Sequence, residues 1–142
     1  MGKRVAWNIL AFIAGIFVGS VANMILVNLG PILVPLPEGA DVTSMEGVKS
    51  SMKLFKPANF LFPFLGHAVG TLVGAWVASK LAATHAFKLA IGIGFFFLIG
   101  GIVAVRMIGG PLWFQVVDLV LAYIPMAYWG AYLAGVHRPN AS

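Results

Sequence analysis

Four polar side chains that could do chemistry lie inside an otherwise apolar chain: Asn23, His67, Arg106 and Asp118. Each belongs to a different apolar segment. With a rise of about 1.5 Å per helical residue, Asn23, His67 and Asp118 fall about 10 Å below the same end of their segments, and Arg106 is shallower. A charged group within a membrane helix costs about 2.5–3.5 kcal/mol on insertion scales, so Asp118 requires a partner. The sequence therefore predicts one intramembrane polar layer.

Several partners are available to Asp118. Arg106 lies across a short turn, His67 lies across the bundle, and a water-filled cavity would also serve. Side chains that could support the layer are Thr71, Gln115 and Tyr123. The layer has two interpretations, a structural clamp that fixes helix register or a functional site for protons, a cation or a polar ligand. In the second, His67 is the natural proton relay because imidazole titrates near neutral pH.

Metal and catalytic chemistry find little support in the sequence. The chain has no cysteine, and His85 and His137 belong to the opposite end of the predicted bundle from His67. No metal site is predicted, because no two histidines are placed as a ligand pair. No nucleophile, base and orienting residue form a set, so no catalytic residue is assigned and a role other than an enzyme is favoured. No cofactor is predicted, although a bound lipid or quinone fits the polar layer.

The composition is that of a membrane protein. Of 142 residues, 61% are hydrophobic and 9% charged, and the mean hydropathy is +0.97, whereas an ordinary soluble domain has about 25% charged residues. The net charge of +5 comes from basic residues scattered over chain ends and loops. Because they form no stripe or arm, nucleic acid is not an expected partner.

The fold class follows from four apolar segments, at about 5–29, 58–79, 89–108 and 112–135, each near the roughly 20 residues that span a bilayer as helix. None alternates as a barrel strand would, and backbone groups in lipid must be paired within the segment. The sequence predicts an all-α integral membrane protein, with one four-helix domain over residues 1–142. We expect Gly30 and Pro31 to end the first helix, and Pro63 and Pro125 to bend the second and fourth.

Small residues recur in the second segment at every fourth position, which gives one helix face a flat groove. The four are Gly66, Gly70, Gly74 and Ala78. Another helix is expected to pack there closely, and a helix of the same chain is favoured. A similar close approach in the third segment is indicated by Gly92, Gly94, Gly100 and Gly101.

The first connection predicts a short amphipathic helix at about 43–56. Thr43 and Glu46 have the spacing of a capping box. One face of this segment is apolar and the other basic; the apolar residues are Met45, Val48, Met52 and Phe55, and the basic ones are Lys49, Lys53 and Lys56. Such a segment either lies on the outer membrane surface or packs over the bundle.

Orientation is weakly encoded, because the basic residues divide almost evenly between the two ends. One end has Lys3, Arg4, Lys80, Lys88 and Arg138, and the other has Lys49, Lys53, Lys56 and Arg106. We favour a bacterial inner membrane with both termini in the cytoplasm.

Three functions fit this sequence. The favoured one is a structural or accessory subunit of a membrane assembly, since extramembrane parts are short and no catalytic set is present. Its partners would be membrane lipid and either further copies of the chain or other subunits. The alternatives are an oligomeric channel or transporter with His67 and Asp118 as its polar layer, and a lipid- or quinone-binding protein.

Overall fold

The computed structural model describes residues 2–137 and is built from helices, with no strand among those residues. The α-helices are α1 (Gly2–Leu33), α2 (Met45–Ser51), α3 (Leu61–Leu81), α4 (Ala86–Ile108), α5 (Leu112–Leu121) and α6 (Ile124–Leu133). Short 3-10 turns at Met52–Leu54 and Pro57–Phe60 join α2 to α3. Arg138 lies outside the described residues.

Four helical stretches are long and apolar enough to cross a membrane: Gly2–Leu33, Pro57–Leu81, Ala86–Ile108 and Leu112–Leu133. This confirms the all-helical prediction and its four apolar segments. They run up and down, so the bundle has an N-terminal end, with the start of α1 and the α3–α4 loop, and an α2 end, with α2 and the α4–α5 turn.

The predicted end of the first helix was wrong. Pro31 lies inside α1, which continues to Leu33. Proline removes one backbone donor, but the helix resumes at once because the amide of Val34 donates to the carbonyl of Gly30 at 2.8 Å. A single proline near the end of α1 is therefore tolerated, and the apolar residues that follow it remain helical.

The fourth stretch is broken near its middle. Helix α5 ends at Leu121 and α6 begins at Ile124, with Pro125 in its first turn. Proline has no amide hydrogen and disfavours helical backbone in the residue before it, so the ladder is interrupted there. Pro63 has a milder effect because it lies near the start of α3. The break at Pro125 places Tyr123 between the two short helices.

Helices α1 and α3 cross at backbone contact. A Cβ atom on Gly19 would lie 2.6 Å from the carbonyl oxygen of Gly70, and one on Gly15 would lie 2.6 Å from that of Gly74. Such separations exclude any side chain on these faces, so the groove of α3 is filled by α1 of the same chain. Small residues at such crossings allow helix backbones to approach closely.

The centre of the bundle towards the N-terminal end is packed with small side chains. The fully buried residues there are Ala75, Ala78, Ala90, Ile93, Ala127 and Ala131, from α3, α4 and α6. The loop between α3 and α4 is tied to α1, since Asn8 accepts from the amides of Ala83 and Thr84 and donates to the Thr84 hydroxyl. This end of the bundle is therefore closed.

Helix α2 is capped one residue later than predicted. The Ser44 hydroxyl accepts from the amide of Gly47 at 3.0 Å, and Thr43 instead donates its hydroxyl to the Asp41 carboxylate at 2.6 Å. The Thr43 side chain is turned towards Asp41, whose carboxylate accepts from its hydroxyl and its amide. Chiefly through the hydroxyl bond, these contacts lower the pKa of Asp41.

The apolar face of the α2 segment is turned towards the bundle. Val48, Met52 and Phe55 line internal cavities, whereas Lys49, Lys53 and Lys56 are exposed. Met45, predicted on the same face, is exposed. Val48, Met52 and Phe55 therefore contribute to the space between this segment and the bundle.

The α1–α3 crossing makes a stability prediction. Replacing Gly19 with alanine should lower the free energy of unfolding by about 1–3 kcal/mol, because the new methyl group meets a backbone carbonyl that cannot move aside. The measurement is equilibrium unfolding in mixed detergent micelles. Gly100→Ala is the matched control, since no atom lies within 4 Å of its added Cβ. Equal stability of the two variants would contradict the tight crossing.

Candidate functional site

A hydrogen-bonded pair joins α3 and α5. The Nδ1 atom of His67 lies 2.8 Å from Oδ1 of Asp118. The Asp118 side chain is 3% exposed, and that of His67 is 27% exposed. The carboxylate is thus shielded, whereas part of the imidazole faces accessible space.

Tyr123 completes the environment of this carboxylate. Its hydroxyl donates to Oδ2 of Asp118 at 3.1 Å, and its ring stacks on that of His67 with centroids 5.8 Å apart. The Tyr123 hydroxyl fits because Gly101 lacks a side chain, since a Cβ there would lie 2.5 Å from it. Both carboxylate oxygens of Asp118 therefore have partners, as a buried acid requires.

The backbone of α3 is braced next to the pair. The Thr71 hydroxyl donates to the carbonyl oxygen of His67 at 2.8 Å, one helical turn away. Thr71 is 1% exposed, so this bond satisfies a hydroxyl that would otherwise be buried without a partner. Thr71 supports the position of His67 and does not contact the carboxylate.

The Asn23 side chain of α1 lies in the same region, but its carbonyl oxygen forms no hydrogen bond with the described residues there. Its Oδ1 atom is buried and has no hydrogen-bond partner within residues 2–137. It lies over Gly66 of α3, where an added Cβ would come within 2.7 Å of it. An unsatisfied buried amide costs about 1–3 kcal/mol, so this side chain is a conspicuous exception in the packing.

A cavity of about 260 Å³, here called the polar cavity, opens between these side chains. Its lining comprises Asn23, His67, Gly70, Thr71, Phe97, Gly100, Gly101, Ala104 and Tyr123. Four of these nine residues have polar side chains, and they come from α1, α3 and the α5–α6 break. The cavity is therefore the place where the polar groups of separate helices meet.

A second cavity of about 270 Å³ lies towards the α2 end and is here called the apolar chamber. Its walls include Val27, Met52, Phe55, Pro63, Val105, Ile108 and Phe114. His67, Gly101 and Ala104 line both cavities, and Asp118 lines the chamber. The His67 and Asp118 pair thus stands at the boundary between a polar space and an apolar one.

Arg106, a predicted member of the polar layer, and Gln115, a predicted supporting side chain, lie elsewhere. Arg106 is exposed in the last turn of α4, and Asp118 is paired with His67 instead. Gln115 donates to the carbonyl of Gly110 at 2.7 Å and so closes the α4–α5 turn. Asn23, His67, Thr71, Asp118 and Tyr123 are brought together.

The charge of the site is set by the residues that line the polar cavity and the apolar chamber. Neither cavity is lined by lysine or arginine within the described part of the chain, and Asp118 is the acidic group at their boundary. Residues 2–137 contain no group of three histidine, aspartate or glutamate side chains able to hold a metal ion. The geometry suits hydrogen bonding to a neutral group better than binding of an anion.

Sequence reasoning missed the residues that leave the space open. Phe97, Ala104 and the walls contributed by α2 carry no chemical signature, so their role is visible only when helices are assembled. The predicted close approach is found at Gly101, which makes room for the Tyr123 hydroxyl, and is wrong at Gly100, where no atom lies within 4 Å of an added Cβ.

Comparisons of the chain with protein-family models, with curated proteins and with solved structures gave no match.

The site makes a prediction about Tyr123. Replacing it with phenylalanine leaves one oxygen of the buried carboxylate without a donor and should lower the free energy of unfolding by about 1–3 kcal/mol. Tyr132→Phe is the matched control because Tyr132 is exposed. The same micelle unfolding measurement checks both variants. A Tyr123→Phe protein as stable as the control would show that the hydroxyl does not support Asp118.

Proposed function

We propose that this chain is an intramembrane binding protein for a small amphipathic molecule, held between its helices at the His67 and Asp118 pair. The observation that carries the proposal is the position of His67 on the boundary of the two cavities. Its Nδ1 is engaged by Asp118, whereas Nε2 has no hydrogen bond with any residue from 2 to 137. Binding pockets are typically apolar cavities with a few placed polar groups, which describes this arrangement.

The unsatisfied amide supports binding over a purely structural clamp. A clamp that only fixed helix register would gain stability by filling its cavities and pairing Asn23. The chain instead leaves an amide unpaired next to an open space, and each defect is destabilising. A ligand that fills the space and accepts from the Asn23 N–H would remove the penalty of the cavity and give the amide one partner.

The packed core supports binding over conduction by a single copy. Between the polar cavity and the N-terminal end, the bundle centre is filled by fully buried alanines and Ile93. A path for ions or water would need polar groups or space along that stretch. A channel would therefore require several copies around a shared path, whereas binding requires one copy only.

The apolar space reaches beyond the chamber. A further cavity of about 170 Å³ lies between the end of α1 and the α2 segment. It shares Val27, Val48, Phe55 and Pro63 with the apolar chamber. An apolar body longer than the chamber could therefore extend under α2, which supports an amphipathic ligand of the lipid or quinone kind. The accessory-subunit interpretation stays a prediction, since it concerns partners outside this chain.

The binding proposal is tested by filling the space. Ala104→Phe places a ring where both cavities meet and should abolish retention of the bound molecule. Protein extracted gently from its own membrane would be analysed by native mass spectrometry and by lipid analysis. Wild type should carry a small-molecule adduct that the variant lacks.

The control is Val103→Phe, which adds the same ring to the exposed face of α4 next to the site. It should retain the adduct. If wild type carries no adduct, or if Ala104→Phe retains it, the binding proposal fails.

We also propose the bacterial inner membrane with both termini in the cytoplasm. Exposed Lys3, Arg4, Lys80 and Lys88 occupy the N-terminal end without an acidic residue among the described residues there. At the α2 end the basic residues share their end with acidic ones; the basic ones are Lys49, Lys53, Lys56 and Arg106, and the acidic ones are Glu38, Asp41 and Glu46. The cytoplasmic leaflet has the more negative surface potential, and it attracts the end that is basic without acidic residues.

Single cysteines test this orientation, because the native chain has none. Lys53→Cys should react with a membrane-impermeant maleimide in intact spheroplasts. Lys80→Cys should react only after the membrane is permeabilised. The reverse pattern would contradict the proposed orientation.

A further inference from the structure

We propose that the ligand is a neutral amphiphile whose polar group is a free hydroxyl, and that this hydroxyl bonds to Nε2 of His67 and to the Asn23 amide. This inference rests on the proposed binding function and names the chemical class that the site accepts. It excludes two classes of ligand that the general proposal leaves open, phosphate-bearing lipids and molecules whose only polar atoms are acceptors.

The charge of the lining excludes anionic head groups. A phosphate bound inside a protein needs arginine, lysine or a cluster of backbone amides to replace its hydration. Neither cavity has a basic side chain in its lining, and Asp118 adds a carboxylate that would repel an anion. Arg106 is exposed and outside both linings. The ligand must therefore be neutral where it meets His67.

The hydrogen-bonding groups favour a hydroxyl. With Nδ1 of His67 bound to Asp118, Nε2 is an acceptor when the imidazole is neutral with its proton on Nδ1, and a donor when the ring is protonated. A hydroxyl both donates and accepts, so it satisfies Nε2 in either state. An ether or ketone oxygen can only accept. It therefore forms no hydrogen bond with Nε2 when the imidazole is neutral with its proton on Nδ1.

The amide of Asn23 supplies the second contact. It lines the polar cavity, and within residues 2–137 neither of its polar side-chain atoms has a partner. A hydroxyl that donates to Nε2 retains lone pairs that accept from an amide N–H, so one group serves both residues. The apolar remainder of the molecule then lies in the chamber beneath Val48, Met52 and Phe55.

The test compares three probes that share one flexible chain: 1-decanol, decyl methyl ether and decyl phosphate. Binding is followed in phosphatidylcholine nanodiscs by the ¹⁵N chemical shifts of the His67 ring as each probe is titrated. Decanol should bind about tenfold more tightly than the ether, as expected for the loss of one well-made hydrogen bond. Decyl phosphate should not perturb His67.

Two variants test the Asn23 contact. Asn23→Ala should weaken binding of both the alcohol and the ether, because the oxygen of either probe can accept from the Asn23 amide, and it leaves no buried group unpaired. Asn28→Ala is the matched control on the same helix, since the Asn28 side chain is exposed and donates to its own backbone at Met24. It should leave the binding of both probes unchanged.

Each outcome bears on the inference separately from the proposed function. Equal or tighter binding of the ether or the phosphate overturns the hydroxyl assignment and leaves the binding function standing. Failure of all three probes to bind overturns the assignment too, and the binding function then depends on the Ala104→Phe adduct measurement. A co-purifying molecule that lacks a hydroxyl also overturns it.

Discussion

A carboxylate buried among apolar helices must be given donors by the protein, and this requirement organises the centre of the molecule. Asp118 on α5 receives His67 from α3 on one oxygen and Tyr123 on the other. Leaving a buried carboxylate without a donor is strongly destabilising, so these three side chains hold their helices in one register. Neighbouring features of the fold place the partner side chains close to the Asp118 carboxylate.

Two backbone devices bring the partners within reach. The interruption at Pro125 releases Tyr123 from a regular helix, so its hydroxyl turns back to Asp118 five residues earlier. Gly101 on α4 leaves the space that the hydroxyl occupies. A proline and a glycine in separate segments therefore act on the same hydrogen bond, although neither is chemically functional.

Much of the fold could be predicted from sequence because hydropathy and length are properties of single segments. The four apolar helices, the turn at Gly109 and the amphipathic connection needed no knowledge of packing. The end of α1 was misplaced because a local proline signal was given more weight than the apolar residues beyond it. The cap of α2 was misplaced because Asp41 competes for Thr43, a contact that capping-box spacing does not show.

The candidate site was only partly predictable, for a physical reason. Depth along a helix is encoded by residue number, so Asn23, His67 and Asp118 could be assigned to one layer. Which of them form hydrogen bonds depends on helix rotation and on space, and both are set by the glycine contacts between helices of the bundle. Arg106 illustrates the difference, since its depth permitted a bond to Asp118 but its exposed position on α4 directs the charge elsewhere.

The two ends of the bundle differ in how densely they are packed. Towards the N-terminal end, α1 and α3 touch through glycine backbones and the centre is filled by buried alanines, which is dense packing with no room for a ligand. Towards the α2 end, larger side chains stand apart and leave cavities on both sides of His67. Because the densely packed half of the bundle fixes the polar side chains, cavities in the other half do not disturb the geometry of those side chains. A bound molecule of the proposed kind would fill these cavities and recover the free energy that they cost.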